Sequence, residues 1–372
     1  MSKLQKIRDI IIYKDENYNT FPNAIVKQDG TIMVCFRHAP DWQSVYNDVT
    51  HGDPASVGVY VTSDDNADTW SEKPTIFLRH FYYGIQDPCI NLLSDGTIFS
   101  SCFMWKFTEL NNPDTESRKL HFVNTYFEME MMDAHASRSY DGGLTWEQPL
   151  SIDYPGKNGQ RSSVRGNIVE LDCGDILIAV STYYKEYDRR SILILKSCDK
   201  GITWELLNKF RHPEGYFMGE PNLFRTASGK IVCMLRTHIP DSDRNVYDDG
   251  NSDMSPMHLC YSYDDGKTWT EPEATKFTSP SPFQAVQLDS GNVLMTYGHR
   301  YSPYGIKAVL LDGEFDNVHE AKEILIRDDG VNHDLGYTSS VQMPNGDILV
   351  TYYIFHKDDT KRYIAGTILR EV

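Results

Sequence analysis

Nine residues before each of six recurring glycines stand Phe21, Asp87, Arg165, Glu220, Pro282 and Tyr337. Four of the six are ionisable or phenolic, at positions bounded by apolar, strand-like runs where Val or Ile would be the ordinary choice. Arginines follow the same glycines: Arg37 and Arg236 seven residues on, and Arg300 nine residues after the fifth. Two of them end the runs Met33-Val34-Cys35-Phe36-Arg37 and Val232-Cys233-Met234-Leu235-Arg236. A guanidinium in such a run needs an anionic partner or a wet cavity. One such arginine could simply end a strand at the surface. Three of them, together with Glu220 and Tyr337 at one register, argue against that and predict strands that line a wet, polar cavity or meet an anionic partner.

The elements that would position these residues are themselves repeated. Gln28-Asp29-Gly30-Thr31-Ile32 returns as Ser94 to Ile98, Asp172 to Ile176, Ala227 to Ile231, Asp289 to Val293 and Pro344 to Ile348. Gly between two short apolar runs marks a hairpin turn, because Gly accepts positive φ at little cost. A second repeat, Ser-x-Asp-x-Gly-x-Thr-Trp, occupies Ser139–Trp146, Ser197–Trp204 and Ser262–Trp269, with a degenerate copy at Ser63–Trp70 that has Ala67 in the Gly place. This is an Asp-box, in which Ser and Asp satisfy turn backbone groups and Trp packs beneath the sheet. Repeat units of about 60 residues predict an all-β fold, a six-bladed β-propeller of four-stranded antiparallel blades. One propeller spanning residues 1–372 is expected, closed by strand-like Lys6–Tyr13 and Arg362–Leu369 sharing a blade. The stretches 111–119 and 240–253 read as loops.

Composition narrows the partners. Lys plus Arg is 36 and Asp plus Glu is 53, giving 36 − 53 = −17. Such a surface repels phosphate backbones and anionic membranes, so nucleic acid and membrane are not expected partners. No run of ~18 apolar residues is present, and Met1 to Ile10 lacks the apolar core of a secretory signal, which predicts a cytoplasmic protein. The seven Cys residues form no CxxC pair and read as mostly buried free thiols. His38, His51, His299 and His333 lack metal-ligand spacing, and no phosphate loop or nucleophile elbow is present, so neither metal nor cofactor is expected.

Over nearly its full length the chain resembles the sialidase (neuraminidase) superfamily. Gly219-Glu220-Pro221-Asn222 leading to Arg236 is similar to that family's Glu strand and second triad arginine. Tyr297-Gly298-His299-Arg300 is similar to the approach to its third arginine, and Gly336-Tyr337-Thr338-Ser339-Ser340 to the strand carrying its nucleophile. The resemblance implies an exo-glycoside hydrolase for a terminal sialic acid or related acidic sugar. Tyr337 would be the nucleophile, Glu220 its base, and Asp53 (with Asp48 as second choice) the acid/base, while Arg236 and Arg300 clamp the carboxylate. Arg37, Arg165 and Asp87 are further expected substrate contacts. A Tyr nucleophile suits an anomeric centre that already carries a carboxylate, since a neutral phenol approaches it more easily than a second anion. One departure stands out: Thr20, in Asn19-Thr20-Phe21-Pro22, occupies the place of the family's first arginine. That leaves open a different sugar (an arabinan, for example), a polysaccharide lyase, or a non-catalytic carbohydrate-binding propeller.

Overall fold

The computed structural model describes residues 3–41, 52–109, 127–157, 159, 161–184, 189–211, 215–240, 243–357, 359 and 361–372. Six antiparallel sheets stand in a ring, each a blade of four strands running from the centre outward. Blade I is Tyr18–Val26, Ile32–Ala39, Val57–Ser63 and Thr75–Leu78; blade II is Gly84–Leu92, Ile98–Glu109, Phe127–Ser139 and Leu150–Ser151. Blade III has its inner strand split into Ser162–Ser163 and Val169–Glu170, followed by Ile176–Tyr184, Arg189–Ser197 and Glu205–Phe210. Blade IV is Phe217–Arg225, Ile231–His238, Pro256–Ser262 and Glu273–Thr278; blade V is Phe283–Gln287, Val293–His299, Gly305–Leu311 and Glu323–Arg327. Blade VI joins Gly336–Gln342, Ile348–Ile354 and Tyr363–Glu371 to the N-terminal strand Leu4–Tyr13. That last pairing, Leu4 opposite Glu371 through Tyr13 opposite Ile364, closes the ring as the sequence predicts.

The core is distributed rather than central. A separate apolar cluster fills the space between each pair of neighbouring blades. Second strands such as Ile348–Ile354 are buried along their whole length, because both faces of a blade are covered by its neighbours. This is why their sequences are largely apolar and do not alternate. Five of the seven cysteines are buried in these layers, and all seven are free.

The repeated glycines adopt nearly one conformation, with φ between 85° and 91° at Gly30, Gly96, Gly174, Gly229, Gly291 and Gly346. Each turn joins strands one and two of a blade. The Asp-boxes join strands three and four and so lie on the same face of the ring. In the second box Ser139 Oγ accepts from Gly143 N at 2.8 Å, and Asp141 accepts from Thr145 N and Oγ1 at 2.9 and 2.6 Å. Trp146 then packs on Phe77 of blade I, and Trp269 on Phe210 of blade III. Each of these boxes therefore fastens its blade to the one before it. Loops between strands two and three, and between successive blades, emerge on the opposite face. No helix among the described residues is long and apolar enough to cross a membrane.

Candidate active site

The inner strands do not run straight past the ring axis. Ladder register slips between Thr20 and Asn23, Gln86 and Cys89, Gly219 and Asn222, and Gly336 and Ser339. Inside each slip one non-glycine residue takes a positive φ: Phe21 at 58°, Asp87 at 48°, Glu220 at 44° and Tyr337 at 50°. Such conformations cost of order 1–3 kcal/mol each and persist only where the surroundings impose them. The bulges turn these four side chains toward one cavity. Pro22, Pro88 and Pro221 follow three of the four directly. Proline within a sheet is confined to edges and bulges, so this was a legible signal of the distortion.

The cavity holds about 240 Å³. Phe21, Asp87, Glu220 and Tyr337 line it with Arg236 and Arg300, and Gln86, Phe103, Trp105, Met131, Phe217, His238 and Tyr247 form walls. Tyr337 is 6% exposed. Its hydroxyl donates to Glu220 Oε1 in a short hydrogen bond. Arg236 Nη1 donates to Glu220 Oε2 at 2.6 Å and to the Tyr337 hydroxyl at 3.2 Å, while its Nη2 donates to the Tyr247 hydroxyl at 3.2 Å. The guanidinium carbons of Arg165 and Arg300 lie 5.2 and 5.1 Å from the centre of the Tyr337 ring.

Charge divides unequally over this group. Burial pushes the Tyr337 phenol well above its ordinary value, and the Glu220 charge adds to that, against Arg236 and Arg300. Burial also pushes Glu220 upward, but Arg236 and the Tyr337 hydrogen bond outweigh it and hold the carboxylate below its usual range. The resting proton therefore sits on Tyr337, beside a base already ionised. Asp87 differs: burial, reinforced by the Glu220 charge, raises it to about 7 against Arg165 and Arg37.

Other residues singled out in the sequence lie elsewhere. Arg165 sits beneath the cavity, beside the split in the inner strand of blade III. It donates to the carbonyls of Phe21, Pro22 and Tyr337 at 3.5, 2.8 and 3.2 Å and to Cys89 Sγ at 3.2 Å. It therefore fastens the bulges of blades I and VI to each other. Arg37 is fully buried in blade I, donating Nε to the Ile85 carbonyl at 3.2 Å, with neither Nη atom hydrogen-bonded among the described residues. Neither arginine is among the described residues lining the cavity. Asp53 is buried in the loop after blade I's second strand, where its Oδ1 accepts from Ala55 N at 2.7 Å. It too is not among those lining residues. Asp48 and His51 fall outside the described residues. Thr20 is fully buried, and its hydroxyl has no hydrogen-bond partner among the described residues.

Sequence reading missed a supporting network. Asp334 accepts from Tyr18 and Tyr353 at 2.8 and 2.7 Å and pairs with Arg362 at 2.5 Å. Tyr353 in turn accepts from Arg300 Nη2 at 3.0 Å, which sets the guanidinium against Tyr337. The loop expected at 240–253 carries Tyr247, which stacks on His333 at 4.3 Å. Only tertiary proximity marks these residues.

A sequence model of the BNR repeat-like domain matches residues 119–350. The chain belongs to the BNR repeat-like domain family. Among relatives of this BNR repeat-like protein is a sialidase of Clostridium perfringens, 23% identical over an alignment of 292 residues that covers 70% of this chain and 62% of that protein. The chain thus spans less than two thirds of that curated relative. Among solved structures, a protein of unknown function from Dyadobacter fermentans is 32% identical, with a TM-score of 0.86 over 99% of both chains. A Hadza microbial sialidase is 17% identical, with a TM-score of 0.66 over 94% of this chain and 65% of that one. An α-L-arabinanase of Penicillium chrysogenum, solved with arabinobiose, is 11% identical, with a TM-score of 0.66 over 98% of both. At such identities these last two likenesses carry the propeller fold alone.

Proposed function

We infer that the chain is an exo-acting, retaining glycoside hydrolase. The observation that carries this reading is the Tyr337–Glu220–Arg236 triangle at the bulged centre of the cavity. A phenol of ordinary pKa ~10 is a poor nucleophile at neutral pH. An ionised base in hydrogen-bond contact and three nearby guanidinium groups are what its activation requires. On attack at the anomeric carbon, the Tyr337 proton passes to Glu220, and Arg236 stabilises the developing phenolate. The aromatic walls suit the apolar face of one sugar ring. A lectin has no use for a nucleophile and base in contact, so the binding-only reading is the weaker one. The sialidase and arabinanase likenesses agree with glycosidase chemistry.

For the sugar, Arg236 and Arg300 in the cavity favour an acidic substrate such as a sialoside. Thr20, where a third clamp residue was expected, and the placement of Arg37 and Arg165 away from the lining favour a neutral sugar as the second reading. A panel of fluorogenic glycosides, with an α-sialoside and an α-L-arabinofuranoside among them, separates the two. Whichever sugar is turned over, Tyr337→Phe is expected to fold normally and lose on the order of 10³-fold or more in kcat. Full activity in that variant would remove Tyr337 from the mechanism.

A further inference from the structure

We propose that Tyr247, braced by His333, is a positioning residue that sets Arg236 for the reaction. The proposal rests on the glycosidase reading above. Tyr247 lies in the loop between the second and third strands of blade IV, half-buried and on the cavity wall. Its hydroxyl accepts from Arg236 Nη2 at 3.2 Å, while Arg236 Nη1 serves Glu220 Oε2 and the Tyr337 hydroxyl.

A guanidinium is a rigid planar fork, so a partner on one nitrogen fixes where the other points. An arginine and a carboxylate frequently pair two-pronged, with one nitrogen on each oxygen. Between Arg236 and Glu220 that pairing would bring Nη2 onto Glu220 Oε1. Oε1 is the oxygen that accepts from the Tyr337 hydroxyl. The Tyr247 hydroxyl holds Nη2 away from it. The base is thereby left to the nucleophile, and Nη1 stays beside the phenol oxygen on which negative charge develops.

Tyr247 is itself held from several sides. Asn245 Oδ1 accepts from Tyr247 N at 3.1 Å, in a side-chain-closed turn. The Asn245 carbonyl accepts from Asp248 N and Asn251 Nδ2, each at 3.0 Å. Asp249 Oδ1 accepts from Ser302 N of blade V at 2.6 Å. The His333 ring, from the connection between blades V and VI, stacks on the Tyr247 ring at 4.3 Å and 24°. His333 is not among the described residues lining the cavity, so it reaches the reacting groups through Tyr247.

The test uses whichever sugar the wild-type chain hydrolyses, presented as its 2,4-dinitrophenyl glycoside. Tyr247→Phe keeps the ring and its stack and removes the hydroxyl. It should lose on the order of 10- to 100-fold in kcat, the range for one hydrogen bond to a charged group, with an unchanged Tm. In an Arg236→Lys background the same substitution should change nothing, because a single ammonium nitrogen cannot reach both ends of the contact. His333→Ala should lower kcat in the wild-type chain but not in Tyr247→Phe. His333→Phe, which keeps a stacking ring, should retain kcat. A fully active Tyr247→Phe variant would overturn the proposal. So would losses that multiply between Tyr247→Phe and Arg236→Lys, since a direct contact from the Tyr247 hydroxyl to the sugar produces independent losses. If Arg236→Lys is too slow to assay, the His333 series decides: a fully active His333→Ala, or a loss that persists in Tyr247→Phe, overturns the proposal. The glycosidase reading fails separately, by a wild-type chain that is silent on every glycoside or by a fully active Tyr337→Phe variant, and takes the proposal with it.

Discussion

At the scale of single residues, arginines of different blades have been given different duties by their surroundings. Arg236 touches both Glu220 and Tyr337, whereas Arg165 spends its donors on three backbone carbonyls and a thiol beneath them. Asp87 supplies a stability test that needs no substrate. Its ionisation is raised from 3.8 to about 7. A carboxyl raised on folding contributes its full stability below the unfolded value, and loses it as pH climbs toward the folded one. Relative to wild type, Asp87→Asn should therefore gain Tm progressively from pH 4 to 7, then level off. A difference constant across that range would mean that Asp87 ionises as an ordinary carboxyl.

At the scale of elements, the hairpin turn and the bulge do separate work. The turn glycines fix where each inner strand begins its outward return, and hence where position −9 falls. Gly174 isolates that contribution, because its φ is +86° and a Cβ built there meets nothing within 4 Å. Gly174→Ala should cost about 1–2 kcal/mol, from the left-handed backbone alone. Urea unfolding would show this as a lower midpoint with an unchanged slope. A neutral outcome would mean that the turn relaxes into another type. The Asp-boxes act differently, since their Trp residues reach the preceding blade and stiffen the ring on the face away from the cavity.

At the scale of the whole molecule, the site exists only because the ring is closed. Tyr337 belongs to blade VI and Glu220 to blade IV, while Phe21, which packs edge-on against Tyr337 at 4.7 Å, belongs to blade I. Closure between blades VI and I depends on Leu4–Tyr13 completing blade VI, with Ile12 buried in the cluster between them. Deleting residues 1–13 would expose the edge of Tyr363–Glu371 and open that cluster. The truncated chain should show a lower thermal midpoint and concentration-dependent light scattering. A monomeric truncation with unchanged Tm would mean that closure does not rest on this strand.

The sequence by itself determined the ring. Turn chemistry and strand burial are local properties that recur with a period, so six glycines, four Asp-boxes and largely apolar second strands specify blades, their number and their closure. The register of the cavity was legible for the same reason, since equivalent positions on inner strands must converge on an axis. Tertiary structure alone decided which of the convergent residues reach the cavity. Pro282 and Arg165 share the counted position with Glu220 and Tyr337, yet they line a smaller space below it with Asn23 and Asn222. Asp53 was placed by its distance from an Asp-box, a measure along the chain that does not say where a loop turns its side chain. Ionisation followed the same division: burial and the field of residues from four other blades separate Asp87 from Glu220, and no spacing in the sequence carries that information.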